Sequence, residues 1–156
     1  KGRIAVFGGR EITEEIYNDT VKIGELMAEK NWLVFCGGYG GVMEAIAKGV
    51  SNKNGVCIGI LKEKEFDQGN SFLTIPISTG MDISRNCLLS YNCEVGVAIS
   101  GAFGTLSEIA YTLSQDKPLI SYKSWDIKNS IKVDSINSLI EEVENCLIKS
   151  KQQLVK

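Results

Sequence analysis

The stretch "AISGAFGTLSEIAYTL", residues 98–113, joins the end of an apolar run to a segment with helical periodicity. Three small residues, Gly101, Ala102 and Gly104, lie at the junction, and from Leu106 onward apolar residues recur three and four positions apart. A buried strand that turns tightly into a helix is the repeating unit of a parallel α/β sheet. This stretch therefore predicts the fold class.

The same alternation of a short apolar run and a helical segment recurs along the chain. The runs are continuously apolar, which is typical of strands that are covered on both faces. The predicted strands are residues 3–9, 32–38, 55–61, 72–78, 95–101 and 117–123. The predicted helices are residues 16–27, 42–50, 106–113 and 136–147, the last behind the N-cap candidate Asp134. Right-handed crossovers then predict a Rossmann-like, doubly wound, mostly parallel sheet with helices on both faces.

Composition indicates one globular domain over residues 1–156, with 44% hydrophobic and 23% charged residues. The formal charge of −2 argues against a nucleic-acid partner, and no apolar run is long enough to predict a membrane span. Two polar stretches, residues 62–71 and 123–135, are predicted to be surface loops. Trp125 in the second loop is expected either to cover the sheet edge or to pack against a neighbouring subunit.

Cysteine and histidine usage narrows the possible chemistry. The five cysteines are odd in number and form no C-x-x-C pair, so we expect buried thiols in a reducing, cytoplasmic setting. The chain contains no histidine, which excludes Ser-His-Asp and Cys-His nucleophiles. Without histidine or a cysteine cluster, no metal site is predicted. Any general base must be a carboxylate, a lysine, a tyrosine or water.

Three glycine-containing loops follow predicted strands. They are "GGR" (8–10), "CGGYGGVME" (36–44) and "SGAFGTLSE" (100–108). Ligands of open α/β sheets bind beyond the carboxyl ends of the strands, where glycine allows close approach and helix N-termini attract anions. We therefore expect Gly8 and Gly9 to contribute to a phosphate-binding site, although the glycines could instead only make tight turns. Neither longer loop has the Walker spacing, and neither fits G-x-G-x-x-G well.

Two charged residues near these loops each have two interpretations. Thr105 and Glu108 have the spacing of a capping box, in which the glutamate only bonds back to its own helix. Asp82 is a plausible N-cap that would place Arg85 in the first turn of a helix, where a cation opposes the helix dipole. A ligand anion or Glu108 would offset that cost. Alternatively, Arg85 extends into solvent.

Taken together, "CGGYGGVM", "SRNCLL" and "SGAFGTLSE" resemble the Lonely Guy (LOG) superfamily over about residues 3–122. The superfamily pattern is G-G-G-x-x-G-x-M, then Arg-Lys, then P-G-G-x-G-T-x-x-E, and the branch that contains molybdenum cofactor carrier proteins looks most similar. The resemblance implies a dimer or tetramer of identical subunits, with Met43 packed beneath a nucleotide cleft. It implies the catalytic residues Glu108 and Arg85, phosphate contacts from Gly101, Gly104 and Thr105, and a cleft lined by Gly37, Gly38 and Gly41.

The resemblance leaves two functions open. In the first, the protein hydrolyses the N-glycosidic bond of a nucleoside 5′-monophosphate, with Glu108 stabilising the oxocarbenium-like transition state. In the second, it is a non-catalytic carrier or sensor of a phosphorylated nucleotide or molybdopterin-type cofactor. The chain departs from the pattern at Ser100, Ala102, Cys36 and Asn86. Because Asn86 replaces a lysine, the departures weaken the enzyme hypothesis more than the binding hypothesis. No resident cofactor is expected.

Overall fold

The structure, a computed structural model, describes residues 1–153 and contains a seven-stranded sheet whose strand pairs are all parallel. The strands are β1 Arg3–Gly8, β2 Leu33–Cys36, β3 Val56–Leu61, β4 Ile75–Ser78, β5 Val95–Ile99, β6 Leu119–Tyr122 and β7 Ile131–Val133. The helices are α1 Glu14–Glu29, α2 Val42–Asn52, α3 Asn86–Tyr91, α4 Phe103–Ser114 and α5 Ile136–Gln153. The spatial order of the strands is β4-β3-β2-β1-β5-β6-β7. The predicted Rossmann-like α/β fold is confirmed.

The central strand β1 shows why the apolar runs are continuous. Ile4 and Val6 point to the side of α1, α2 and α5, whereas Ala5 and Phe7 point to the side of α3 and α4. All four side chains are at most 1% exposed. Successive residues of a strand face opposite sides of the sheet, so a strand covered by two helical layers must be apolar at every position.

The edges of the sheet differ from the sequence prediction. The stretch 123–135, predicted to be a loop, contains β7, which pairs with β6 through Ile131. At the other edge, β4 begins only at Ile75, and Ile75 and Ile77 are 46% and 43% exposed. The prediction that strand 72–78 is covered on both faces is therefore wrong. Its composition is apolar, but α4 packs on β1, β5 and β6, and α3 packs mainly on α4, so neither helix covers β4.

Two helix starts also differ from the prediction. The N-cap of α5 is Ser135 rather than Asp134, since the Ser138 amide donates to the Ser135 hydroxyl at 3.1 Å. Asp82 caps no helix: it opens a 3₁₀ turn, Asp82–Arg85, with a φ of +49°, and α3 begins after that turn. In the predicted loop 62–71, a second short 3₁₀ turn forms at Phe66–Gln68. No helix in residues 1–153 is long and apolar enough to cross a membrane.

The strand order places a topological switch point between β1 and β5. From β1 the chain crosses to β2 through α1, on one face of the sheet, and from β5 it crosses to β6 through α4, on the other. The two loops that leave these neighbouring strands therefore diverge. A crevice forms between them at the carboxyl edge of the sheet, which is where ligands of open α/β sheets bind.

Candidate functional site

A cleft of about 480 Å³ occupies this crevice. The loops after β1 and β5 meet at its floor, where a Cβ on Gly9 would lie 3.5 Å from the Gly101 Cα. Seven of the ten predicted site residues line the cleft: Gly8, Gly9, Arg85, Gly101, Gly104, Thr105 and Glu108. Met43 lines it as well and is 8% exposed. The structure therefore gathers residues from distant parts of the chain at one place.

The N-terminus of α4 presents free amides to the cleft. The first hydrogen bond of α4 runs from the Leu106 amide to the Ala102 carbonyl at 3.1 Å, and no side chain caps the helix. The amides of Phe103, Gly104 and Thr105 consequently have no acceptor among the described residues. Within 4 Å of a Cβ on Gly104 there is only open space. These amides are therefore free to bind an anion.

The capping-box interpretation of Thr105 and Glu108 is wrong. Since α4 begins at Phe103, Thr105 lies in the first turn and Glu108 in the second, too far along to cap the helix. Gly101 has a φ of +110°, and a Cβ there would lie 2.3 Å from the Thr105 Oγ1. This tight turn starts the helix earlier than the spacing predicts and leaves the Glu108 carboxyl to the cleft.

The glycines of the loop after β2 do not line the cleft. A Cβ on Gly38, whose φ is +86°, would lie 2.4 Å from the Leu61 side chain. A Cβ on Gly41, whose φ is +66°, would lie 2.2 Å from the Gly9 carbonyl oxygen, which accepts a hydrogen bond from the Val42 amide at 3.0 Å. Gly38 thus allows the β2 loop to approach β3, and Gly41 allows it to approach the β1 loop, so both shape the site without facing it.

Gly37 makes room for Arg85. A Cβ on Gly37 would lie 2.6 Å from the Met43 sulfur and 2.7 Å from the Arg85 Nη1. Arg85 is 2% exposed, so the interpretation of a solvent-exposed arginine is wrong. Its Nη1 lies 3.7 Å from the Glu108 Oε1, which is an ion-pair distance but not a hydrogen bond. Among the described residues, the Arg85 Nε and Nη1 have no hydrogen-bond partner.

Burial dominates the electrostatics of this pair. Desolvation raises the pKa of Glu108 to about 8, and the nearby Arg85 and Lys62 cations offset only part of that effect. Desolvation also lowers the pKa of Arg85, although the Glu108 carboxyl opposes the shift. At pH 7 Glu108 is therefore mostly a neutral carboxyl group that can donate a hydrogen bond. Arg85 remains charged, because the ordinary pKa of arginine is far above 7.

The aromatic ring of Tyr39 is surrounded by cations. The Arg10 Cζ lies 4.5 Å from the ring centroid, the Arg85 Cζ 5.6 Å and the Lys62 Nζ 6.0 Å. The Tyr39 hydroxyl accepts a hydrogen bond from the Lys62 amide at 2.7 Å and donates one to the Glu63 carboxylate. The ring thereby fixes the end of β3 next to the β1 loop, and all three cations line the cleft.

Trp125 belongs to the wall of the same region. Its indole Nε1 donates to the Ala102 carbonyl at 3.2 Å, and its ring centroid lies 6.2 Å from that of Phe103. Within its own chain Trp125 packs against the β5–α4 loop, and packing against a neighbouring subunit stays a prediction. This contact supports the backbone from which α4 starts.

Sequence reasoning missed Arg10, Tyr39 and Lys62 as site residues. Arg10 and Lys62 each follow the last residues of a buried strand, at the carboxyl edge where ligands of this fold bind. Their position after a predicted strand could therefore have identified both as candidate site residues. Asn86, noted only as a departure from the motif, is 4% exposed, donates to the Ser107 hydroxyl at 3.1 Å and leaves its Oδ1 without a partner among the described residues.

The fold and the cleft define a Rossmann-like protein with an accessible cavity at its topological switch point. Residues 1–153 match the profile of the SLOG cluster4 family, and the chain belongs to this family. An uncharacterized protein of Archaeoglobus fulgidus is 40% identical over 121 residues, which cover 78% of this chain and 80% of the relative. Membership of the Lonely Guy superfamily stays a prediction.

Solved structures resemble the whole domain. The molybdenum cofactor binding protein of the phototrophic bacterium Rippkaea orientalis is 28% identical with a TM-score of 0.89, and the match covers 94% of this chain and 98% of that one. The Moco carrier protein of Chlamydomonas reinhardtii is 25% identical with a TM-score of 0.87, covering 96% of this chain and 99% of that one.

Proposed function

We propose that this protein binds a phosphorylated cofactor of the molybdenum cofactor class in the switch-point cleft and carries it without chemical change. The observation that carries the proposal is the buried guanidinium of Arg85, which lines the cleft with its Nε and Nη1 unpaired. An unpaired buried polar group costs about 1–3 kcal/mol, and a ligand anion would remove that cost. The named functions of the structural neighbours support the choice of cofactor.

The residues present fit such a ligand. The cleft volume of about 480 Å³ lies in the range of small-molecule sites. The free amides of Phe103, Gly104 and Thr105 would hold a phosphate group, as helix N-termini do elsewhere.

The raised pKa of Glu108 limits the part that this group could play in turnover. Cleavage of an N-glycosidic bond builds positive charge on the sugar, which a carboxylate stabilises, whereas a neutral carboxyl could serve only as a general acid toward the leaving base. With its pKa raised to about 8 by burial, Glu108 is mostly protonated at pH 7. A neutral Glu108 next to a phosphorylated ligand avoids repulsion and offers a hydrogen bond.

The phosphoribohydrolase hypothesis is the second candidate. It is favoured by one arrangement: Glu108 and Arg85 both line the cleft beside the free amides of α4. A ligand that carried a positive charge near Glu108 would lower the pKa of this group and restore the carboxylate. Both hypotheses therefore use the same residues and differ in whether a bond is broken.

One experiment separates the two functions. Wild-type protein is incubated anaerobically with isolated molybdenum cofactor, and separately with a panel of nucleoside 5′-monophosphates. We expect cofactor binding, recovery of the cofactor unchanged, and no free base or ribose 5-phosphate. Arg85→Lys keeps a positive charge but removes the guanidinium, so we expect at least tenfold weaker cofactor binding, and thermal unfolding of the variant shows that it is folded. Base release that disappears in Glu108→Gln would overturn the carrier proposal.

We also propose that the protein is a homo-oligomer, a dimer or tetramer. An apolar groove on the β2–β3–β4 half of the sheet supports this proposal, because α3 and α4 leave it partly open. Of the residues that line it, Ile77 is 43% exposed, whereas Phe35 and Ile60 form its buried floor. A second copy of the chain would cover this surface, and light scattering of the purified protein measures the oligomeric state directly.

A further inference from the structure

We propose that the cleft contains a second anion subsite, formed by Arg10 and Lys62 around Tyr39, and that its ligand therefore carries two separate anionic groups. The first group is the phosphate at the N-terminus of α4, and for that group the inference rests on the proposed function. The second group is a further oxyanion, such as another phosphate, at the opposite end of the same molecule.

The cations of the second subsite come from two different loops. Arg10 follows β1 and Lys62 follows β3, and their charged groups lie 4.5 Å and 6.0 Å from the centroid of the Tyr39 ring. Tyr39 orders both: its ring lies under them, and its hydroxyl accepts the Lys62 amide hydrogen at 2.7 Å. Two cations held beside one ring repel each other, and an anion between them would offset that repulsion.

The protein neutralises the positive charge of the second subsite only in part: the Glu63 carboxylate, which accepts a hydrogen bond from the Tyr39 hydroxyl, interacts with Lys62 and Arg10, and both cations lower its pKa. In residues 1–153, neither Arg10 nor Lys62 has a carboxylate within 4.0 Å of its charged group. The cleft is lined by three cations and by only two carboxyl groups, those of Glu11 and Glu108. Glu108 is mostly neutral at pH 7, because burial raises its pKa to about 8. A protein with a net charge of −2 thus concentrates positive charge in one concave site, which attracts anions.

The strand order separates Lys62 from the free amides of α4, whereas Arg10 follows β1, the neighbour of β5. Lys62 follows β3 and the free amides follow β5, and these strands are separated by β2 and β1 in the sheet. Three strand spacings at about 4.8 Å each place the strand ends about 14 Å apart. Arg85 lies between the two subsites, 3.7 Å from Glu108 on one side and 5.6 Å from the Tyr39 ring on the other. It can therefore contact the body of a ligand that spans them.

Lys62 also places a positive charge in the cleft close enough to act on Glu108. Asn86 stands next to Arg85 where the resemblance predicts a lysine. Lys62 reaches the same cleft from the end of β3, and its charge acts on Glu108 by lowering the pKa of that carboxyl against the larger effect of burial.

The test is a titration of ¹⁵N-labelled protein with inorganic phosphate at low ionic strength, followed by amide chemical shifts. We expect two separable saturation curves, one for the loop 101–105 and one for the amides of Arg10, Tyr39 and Lys62. In the double variant Arg10→Gln, Lys62→Gln we expect phosphate to bind at least tenfold more weakly at the amides of Arg10, Tyr39 and Lys62. Binding at the loop 101–105 should change less than threefold. Lys64→Gln, which removes a charge from the same stretch outside the cleft, is the matched control.

Each other outcome has a definite meaning. A response of the loop alone in the wild-type protein, or a second response that survives in the double variant, would overturn the second subsite and leave the proposed function intact. No response at either group would overturn both the second subsite and the phosphate site at α4. A loss of both responses in Lys64→Gln would show that general charge, and not these two side chains, attracts the phosphate, which would also overturn the inference.

Discussion

The Arg85 guanidinium lies 3.7 Å from the Glu108 carboxyl, and yet the two groups share no hydrogen bond. Both residues are more than nine-tenths buried. A directly bonded pair would satisfy each partner, whereas this loose pair leaves the Arg85 Nε and Nη1 without a partner among the described residues. Under the proposed function, a ligand anion would supply that partner.

Glu108 should make the stability of the protein depend on pH. Burial raises the pKa of Glu108 from its ordinary 4.5 to about 8, so between these values the folded state holds a proton that the unfolded state has released. The free energy of unfolding should therefore fall as pH rises from about 5 to 8, by at most about 1.4 kcal/mol per pH unit from this group. Glu108→Gln should remove this slope and be more stable than wild type at pH 8. Urea unfolding at several pH values measures both effects, and equal slopes in the two proteins would contradict the assignment.

Gly37→Ala should disturb Arg85 specifically. The added Cβ would lie 2.7 Å from the Arg85 Nη1 and 2.6 Å from the Met43 sulfur, so the guanidinium must move. We expect at least tenfold weaker binding of the phosphorylated ligand and a loss of stability of about 1–3 kcal/mol from overpacking. Gly40→Ala in the same loop is the control, since a Cβ there meets nothing within 4 Å. Calorimetric titration and thermal unfolding of both variants test the prediction, which fails if the two behave alike.

The two glycines of the β5–α4 loop should respond in opposite directions. Gly101→Ala places a Cβ at a φ of +110° and 2.3 Å from the Thr105 Oγ1, so we expect destabilisation of about 1–3 kcal/mol. Gly104→Ala has open space around its Cβ and lies inside α4, where alanine stabilises the helix by up to about 1 kcal/mol. The same methyl group projects into the cleft, so ligand affinity should fall while the melting temperature rises. Destabilisation by Gly104→Ala would show that its surroundings are not open.

Ile77→Lys should dissociate the oligomer. Ile77 is 43% exposed and lines the apolar groove, so a charge there prevents a second copy from packing against it. We expect light scattering to show monomers. Because the position is open to solvent, the substitution should change the free energy of unfolding of a single subunit by no more than about 1 kcal/mol. Ile148→Lys, at a 51% exposed position on α5 in the opposite helical layer, should leave the oligomer unchanged. A monomeric wild-type protein, or an oligomer that persists in Ile77→Lys, would refute the proposed interface.

Local sequence patterns were enough to predict most of the fold. Ile4 to Phe7 are apolar at every position because β1 is covered on both sides, and the same reasoning located β5 and the loop at Gly101. The prediction failed at β4, where Ile75 and Ile77 have strand composition without burial. It also missed β7, whose three residues are too few to show a period.

The site was less accessible to sequence reasoning because it depends on long-range contacts. Phe103 starts α4 but is 80% exposed, so no apolar pattern marks the start of the helix, and the spacing of Glu108 fits a capping box. The burial of Arg85 depends on space left by Gly37 about fifty positions earlier. Only the strand order, which no local pattern encodes, brings Arg10 and Lys62 to the same ring.

The hydrogen bond from the Val42 amide to the Gly9 carbonyl, at 3.0 Å, joins the two glycine loops directly. Gly41 packs against the same carbonyl, so neither loop can move outward without breaking this hydrogen bond and losing this contact. We therefore expect the cleft to be preorganised before cargo arrives, so that little ordering entropy is lost on association. A carrier of this kind would retain its cargo through a slow dissociation rate, and hand-over would need an acceptor that competes for the cargo rather than a signal that opens a lid.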